Sequence, residues 1–126
     1  MKIIGRKTHG CLDYLVGGLL IASPWLFSFY GGGMESWIPI TLGAAAVFYS
    51  LVTDYELGVA GIIPMRIHLI IDMLSGVLLA VSPWLFGFAD LVFWPHLVIG
   101  IIEIVVATLT NPGSQYMGKA SPLGKP

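Results

Sequence analysis

The chain has 126 residues, of which 56% are hydrophobic and 10% charged, and a formal net charge of −1. A soluble domain carries roughly 25% charged residues, so this chain lacks the polar surface to clothe a globule, and it has no basic cluster to bind nucleic acid. A hydrocarbon core of about 30 Å takes roughly 20 helical residues to cross, which fits four spans with short connections and leaves no room for a separate soluble domain.

The first predicted span covers residues 7–29 and follows Lys2, Arg6 and Lys7, a charge pattern that a cleavable secretory signal also shows. The same segment recurs at 68–88, where no signal can be, so both copies read as permanent spans. His9 and Asp13 stand four apart and therefore share a helix face. Towards the other end come Ser23, Pro24 and Trp25. Pro24 removes a backbone donor and clashes with the carbonyl of Leu20, so the helix is expected to kink or end there. Ser23 then has a hydroxyl to offer the loosened backbone. Trp25, Phe27 and Phe29 fit an interfacial aromatic belt. Cys11 is the sole cysteine, which excludes an intrachain disulfide.

Gly31 to Gly33 form a turn, and the second span is predicted over 36–53. The third, 65–88, repeats the first. Laid on residues 68–88, residues 9–29 match at His9/His68, Asp13/Asp72, Gly17/Gly76 and throughout Ser23–Phe27/Ser82–Phe86. The fourth, 93–110, repeats the second, with Trp37/Trp94, Gly43/Gly100 and Thr53/Thr110 as matches. Gly17 and Gly76 are expected to let the first and third helices approach closely. A tail over residues 114–126, rich in Gly, Ser and Pro, is expected to be mobile.

The fold class is therefore an all-α membrane protein, with four transmembrane helices as two tandem parallel helical-hairpin repeats. Repeat 1 runs over about 7–56 and repeat 2 over about 66–113, within a single membrane domain. All Lys and Arg residues fall at the N-terminus, in the central loop or in the tail. The positive-inside rule then puts both termini in the cytoplasm.

The doubled pattern of His, Asp, Gly and Ser-Pro-Trp, with Ser82, Pro83 and Trp84 in the second copy, resembles the SPW-repeat family of small bacterial membrane proteins. The resemblance implies a membrane-bound protein, in a bacterial inner membrane, with two helices per repeat. It carries over no activity and no catalytic residue.

The candidate polar or ion site consists of His9, Asp13, His68, Asp72 and Glu103. Each Asp can pair with its own His along the helix. Alternatively, the two pairs converge into a nitrogen-and-oxygen metal site, which the spacing leaves open. Glu103 faces Ala46 in the repeat alignment and so has no counterpart. Its helix face carries His96, Gly100, Ala107 and Thr110, small or polar residues that mark helix packing, so Glu103 is expected to point inward. His96 is expected to be solvated at the outer end. Glu35, Asp54, Glu56 and Asp90 are expected in loops as solvated or capping charges.

No catalytic motif is present, so the pattern points away from an enzyme and calls for no cofactor. The first functional expectation is a structural or interaction module, and the alternative is a small proton- or cation-handling unit. The lipid bilayer is the expected partner, nucleic acid is excluded, and a homo-oligomer or another membrane protein stays open.

Overall fold

The computed structural model describes residues 2–113, and the tail expected at 114–126 lies outside them. Four α-helices follow one another: α1 (Arg6–Leu26), α2 (Met34–Leu51), α3 (Met65–Leu85) and α4 (Trp94–Leu109). The main packing is α1 on α2 and α3 on α4, which makes two antiparallel hairpins joined by residues 52–64.

Each long helix ends two residues after its proline. The carbonyl that Pro24 cannot serve, at Leu20, accepts a hydrogen bond from Ser23 Oγ at 2.8 Å instead. Ser82 Oγ does the same for Leu79 at 2.7 Å. Pro24 O then accepts from the backbone N–H groups of Phe29 and Tyr30, which turns the chain towards α2. Both serines are buried, so Ser23→Ala or Ser82→Ala strands a carbonyl away from water. Each substitution is expected to cost about 1–3 kcal/mol in detergent, read by thermal unfolding. No loss in either variant would remove the serines from this role.

Within each hairpin, glycines bring the backbones together. A Cβ on Gly43 would lie 2.6 Å from the carbonyl oxygen of Gly17, and one on Gly100 would lie 2.6 Å from that of Gly76. This corrects the expectation that Gly17 and Gly76 bring α1 to α3: each faces the partner helix of its own hairpin. The physical reason is the short turn, which makes consecutive helices antiparallel neighbours before any contact between repeats is possible.

The two hairpins are sewn together at the end that carries Lys2, Arg6 and Arg66. Ile4, before α1, forms a parallel bridge with Thr110, after α4; Ile63, before α3, forms its equivalent with Thr53, after α2. Each repeat thus lends its leading segment to the trailing end of the other. At this same end Arg6 pairs with Glu56 at 2.9 Å.

The distribution of polarity is inverted relative to a water-soluble bundle. His9, Ser23, Ser36, Ser50, Thr53, His68, Ser82, His96 and Thr110 are buried, while Leu15 and Phe48 are each 68% exposed and Leu74 is 65% exposed. By length and composition, Met65–Leu85 is the one described helix apolar and long enough to cross a membrane, and Trp94–Leu109 is apolar but shorter. At 16 residues α4 spans about 24 Å, short of a full hydrocarbon core.

Candidate functional site

One turn inside the sewn end, α1 and α3 present their His/Asp pairs to one another. His9 and Asp13 meet His68 and Asp72 across the pseudo-twofold axis, with the imidazole rings edge to face and their centroids 5.4 Å apart. His9 Nε2 lies 2.9 Å from Asp13 Oδ1 and 2.7 Å from Asp72 Oδ2. His68 Nε2 lies 2.9 Å from Asp13 Oδ2 and 3.2 Å from Asp72 Oδ2. Each aspartate therefore serves both histidines rather than its own alone. Both histidine side chains are at most 1% exposed and both aspartates 9%.

The far nitrogen of each ring is fixed by a threonine. Thr53 Oγ1 donates to the Tyr49 carbonyl at 2.6 Å, and Thr110 Oγ1 donates to that of Val106 at 2.6 Å. A hydroxyl has a single proton to give, so each oxygen can only accept from the ring beside it. His68 Nδ1–H donates to Thr53 Oγ1 at 2.7 Å, and His9 Nδ1–H donates to Thr110 Oγ1 at 2.7 Å. Both Nε2 atoms consequently face the carboxylates. If they carried bare lone pairs, four electron-rich groups would crowd one buried point, so positive charge must reside there as protons or as a cation.

The carboxylates have partners of their own. Tyr49 donates its hydroxyl to Asp72 Oδ1, and Tyr55 donates to Asp13 Oδ2 at 3.1 Å. Tyr55 lies in the connection after α2; its burial and the Asp13 charge beside it push its phenol above the ordinary range, which keeps the proton on this donor. Glu103 is half-buried, and it lines a cavity of about 40 Å³ together with His9, Asp13, Tyr49 and Asp72. That volume holds a few waters or a partly hydrated ion. An organic substrate needs a pocket of roughly 300–1,000 Å³, so it does not fit.

Sequence reasoning missed Thr53, Thr110, Tyr49 and Tyr55 as members of this centre. The threonines left a signal, since they occupy matched positions in the two repeats and, through their hydroxyls, can hold a histidine tautomer. The tyrosines left none, because Tyr49 is matched by Val106 and Tyr55 by Pro112.

At the opposite end, His96 is corrected from solvated to buried. Phe29 and Phe88 close over its ring with centroids 5.1 and 5.0 Å away, and its Nε2–H donates to the Glu35 carbonyl at 2.8 Å. Glu35 is likewise buried and sits in the first turn of α2, where its Oε1 accepts from Gly33 N–H at 3.1 Å. The turns that sequence placed outside the bundle fold back over its end, which is why these residues lose contact with water. Trp25, Trp37, Trp84 and Trp94 stay about half exposed around this end. A depression of about 490 Å³ lies between the two turns, lined by Tyr30, Glu35, Asp90 and Trp94 among others.

Neither a curated protein nor a solved structure matches the chain. The SPW repeat domain matches it over residues 7–110, which takes in all four helices and both His/Asp pairs. On that match, and on two copies of the Ser-Pro-Trp helix end in equivalent structural places, the chain belongs to the SPW repeat family.

Proposed function

We propose that the chain is an integral membrane protein whose four helices all cross the bilayer, with both termini cytoplasmic, and that its His/Asp quartet is a small proton- or cation-handling centre. The membrane reading is supported by family membership and by the apolar exterior around a polar interior. The half-exposed tryptophans at one end and the Lys2, Arg6 and Arg66 side chains at the other fit an aromatic belt and a positive inner face. Helices too short to span alone are accommodated by a thinned bilayer and by interfacial anchors.

The observation that carries the functional reading is the small cavity that His9, Asp13 and Asp72 of the quartet share with Tyr49 and Glu103. Ionisable groups inside a membrane are costly, and a histidine, two aspartates and a glutamate on one small cavity are difficult to account for by packing alone. The experiment is flux into liposomes that contain the purified chain, with a pH-sensitive dye for protons and a metal-sensitive dye for divalent cations. The wild type is expected to raise flux at least about tenfold over empty liposomes, and Glu103→Gln is expected to reduce it severalfold while leaving the fold intact. If the wild type carries neither protons nor cations, this reading is lost.

A second reading, a structural or interaction module, is favoured by a different observation. The quartet is a buried polar tie between two hairpins that pack mostly within themselves, beside the apolar contact of Leu20 with Leu79 and Ile99. In that case stability depends on the quartet and no flux accompanies it.

A further inference from the structure

We propose that the quartet binds one first-row divalent transition metal ion of the zinc type, through Nε2 of His9, Nε2 of His68, and one carboxylate oxygen each from Asp13 and Asp72. This deepens the reading of the quartet as a cation centre, on which it rests, by naming the cation class.

Three observations carry it. First, the ligand atoms are assembled: one from each of the four residues, all within 4.8 Å of one another. The nitrogen–oxygen separations across the centre are 2.7–3.2 Å. A tetrahedral ion with bonds of about 2.0–2.1 Å holds its ligands about 3.3 Å apart, so these nitrogen–oxygen pairs need to part by a few tenths of an ångström.

Second, the outer partners are those a metal site requires. Ligating histidines typically donate the far N–H to a fixed acceptor, which sets the tautomer and aims the other nitrogen at the ion. Thr53 and Thr110 do this for the two rings, and their own protons are committed to backbone carbonyls, so the aim cannot reverse. Tyr49 and Tyr55 hold the two carboxylates from outside in the same manner.

Third, one interaction in the quartet does not have the form of a hydrogen bond. His68 is fully buried, and its Nε2 makes no hydrogen bond of acceptable direction, although carboxylate oxygens stand 2.9 and 3.2 Å away. Hydrogen-bonded groups point at one another. Metal ligands stand side by side and point at a common centre, and an Nε2 close to two carboxylates without bonding to either fits such an arrangement.

Charge and donor chemistry select the ion. Two neutral imidazoles and two carboxylates around a divalent cation sum to zero, which suits a low-dielectric interior. Calcium takes six to eight oxygens and magnesium retains an octahedral shell of oxygens, whereas two imidazole nitrogens with two carboxylate oxygens match zinc and its first-row neighbours. Cys11 is exposed, so no thiolate joins the set.

The test uses the full chain without a histidine tag, stripped with chelator in detergent and then titrated with cobalt(II) and with zinc(II). The expected result is one metal per chain by elemental analysis, with a visible cobalt spectrum of tetrahedral intensity that zinc abolishes. Thr53→Val, which keeps all four ligands and loses only the outer partner, is expected to weaken binding about 10–100-fold. His68→Gln should abolish the cobalt spectrum, Asp13→Asn should weaken binding at least as much as Thr53→Val, and Cys11→Ser should change nothing. Circular dichroism identifies any variant that fails to fold, and Thr53→Val then decides. Binding that survives both His68→Gln and Asp13→Asn overturns the assignment, as does the absence of binding at micromolar metal. If metal fails to bind while protons still cross the liposome membrane, the metal is lost and the cation-handling centre stands. Metal bound without any flux leaves the site and removes the transport.

Discussion

Asp72→Ala is expected to destabilise the bundle by about 3–5 kcal/mol, a large share of the stability of a domain this size. Asp72 has three partners in the centre, since its Oδ2 stands 2.7 Å from His9 Nε2 and 3.2 Å from His68 Nε2 while its Oδ1 accepts from Tyr49. Truncation leaves two buried imidazoles facing a single carboxylate and a tyrosine hydroxyl facing nothing. Asp72→Asn removes the charge but keeps the shape. Its amide oxygen still accepts from Tyr49 and its NH₂ can donate to a neutral His9, so its cost should be at most about half that of alanine. Unfolding in mixed detergent micelles, followed by circular dichroism, gives both values. If alanine and asparagine are equally mild, the quartet does not tie the hairpins together.

The second large effect belongs to Gly43 and Gly100. A Cβ on Gly100 would meet the Ala80 nitrogen and the Gly76 oxygen, each at 2.6 Å, and one on Gly43 would meet the Gly17 oxygen at 2.6 Å. These are backbone atoms of the facing helix and cannot rotate aside as a side chain would. Leucine at either position must therefore part the two helices of a hairpin, and the expected loss is about 3 kcal/mol or more, at or above the usual range for overpacking. Gly18, which has open space around it, provides the comparison, and Gly18→Ala should have little effect. A Gly100→Leu variant as stable as wild type would show that α3 and α4 need not approach so closely. Because each hairpin has its own glycine contact, the two variants also report whether the hairpins unfold separately.

Much of this fold could be read from one chain because the chain contains itself twice. The match of Ser23–Phe27 to Ser82–Phe86 marks two equivalent helix ends, and the proline in each explains why the helices stop at Leu26 and Leu85, three residues before the predicted boundaries. The spacing of His9 to Asp13 gave the face on which each pair lies. It could not give the convergence of the pairs, because periodicity orients a residue about its own helix axis and is silent about which helix lies opposite. The same blindness sent Gly17 and Gly76 to the wrong partner, although small residues correctly marked a close approach. His96 was misjudged for another reason: depth along a helix says nothing about turns that fold back over its end, and Phe29 and Phe88 do so here.

The exchange of segments at the sewn end has a consequence for how such a chain could arise and change. His9 of the first repeat rests on Thr110 of the second, and His68 of the second rests on Thr53 of the first. A hairpin standing alone would own one histidine, one aspartate and a threonine placed for someone else's histidine, so it could complete the centre only by pairing with an identical copy. Joining two hairpins in one polypeptide removes that obligation to dimerise. It also frees the halves from mirroring each other, and Glu103 opposite Ala46, with Tyr49 opposite Val106, are two of the places where this freedom has been used. The symmetric ligands remain, and a lopsided cavity has opened on one side of them, something no pair of identical hairpins related by a twofold axis could offer.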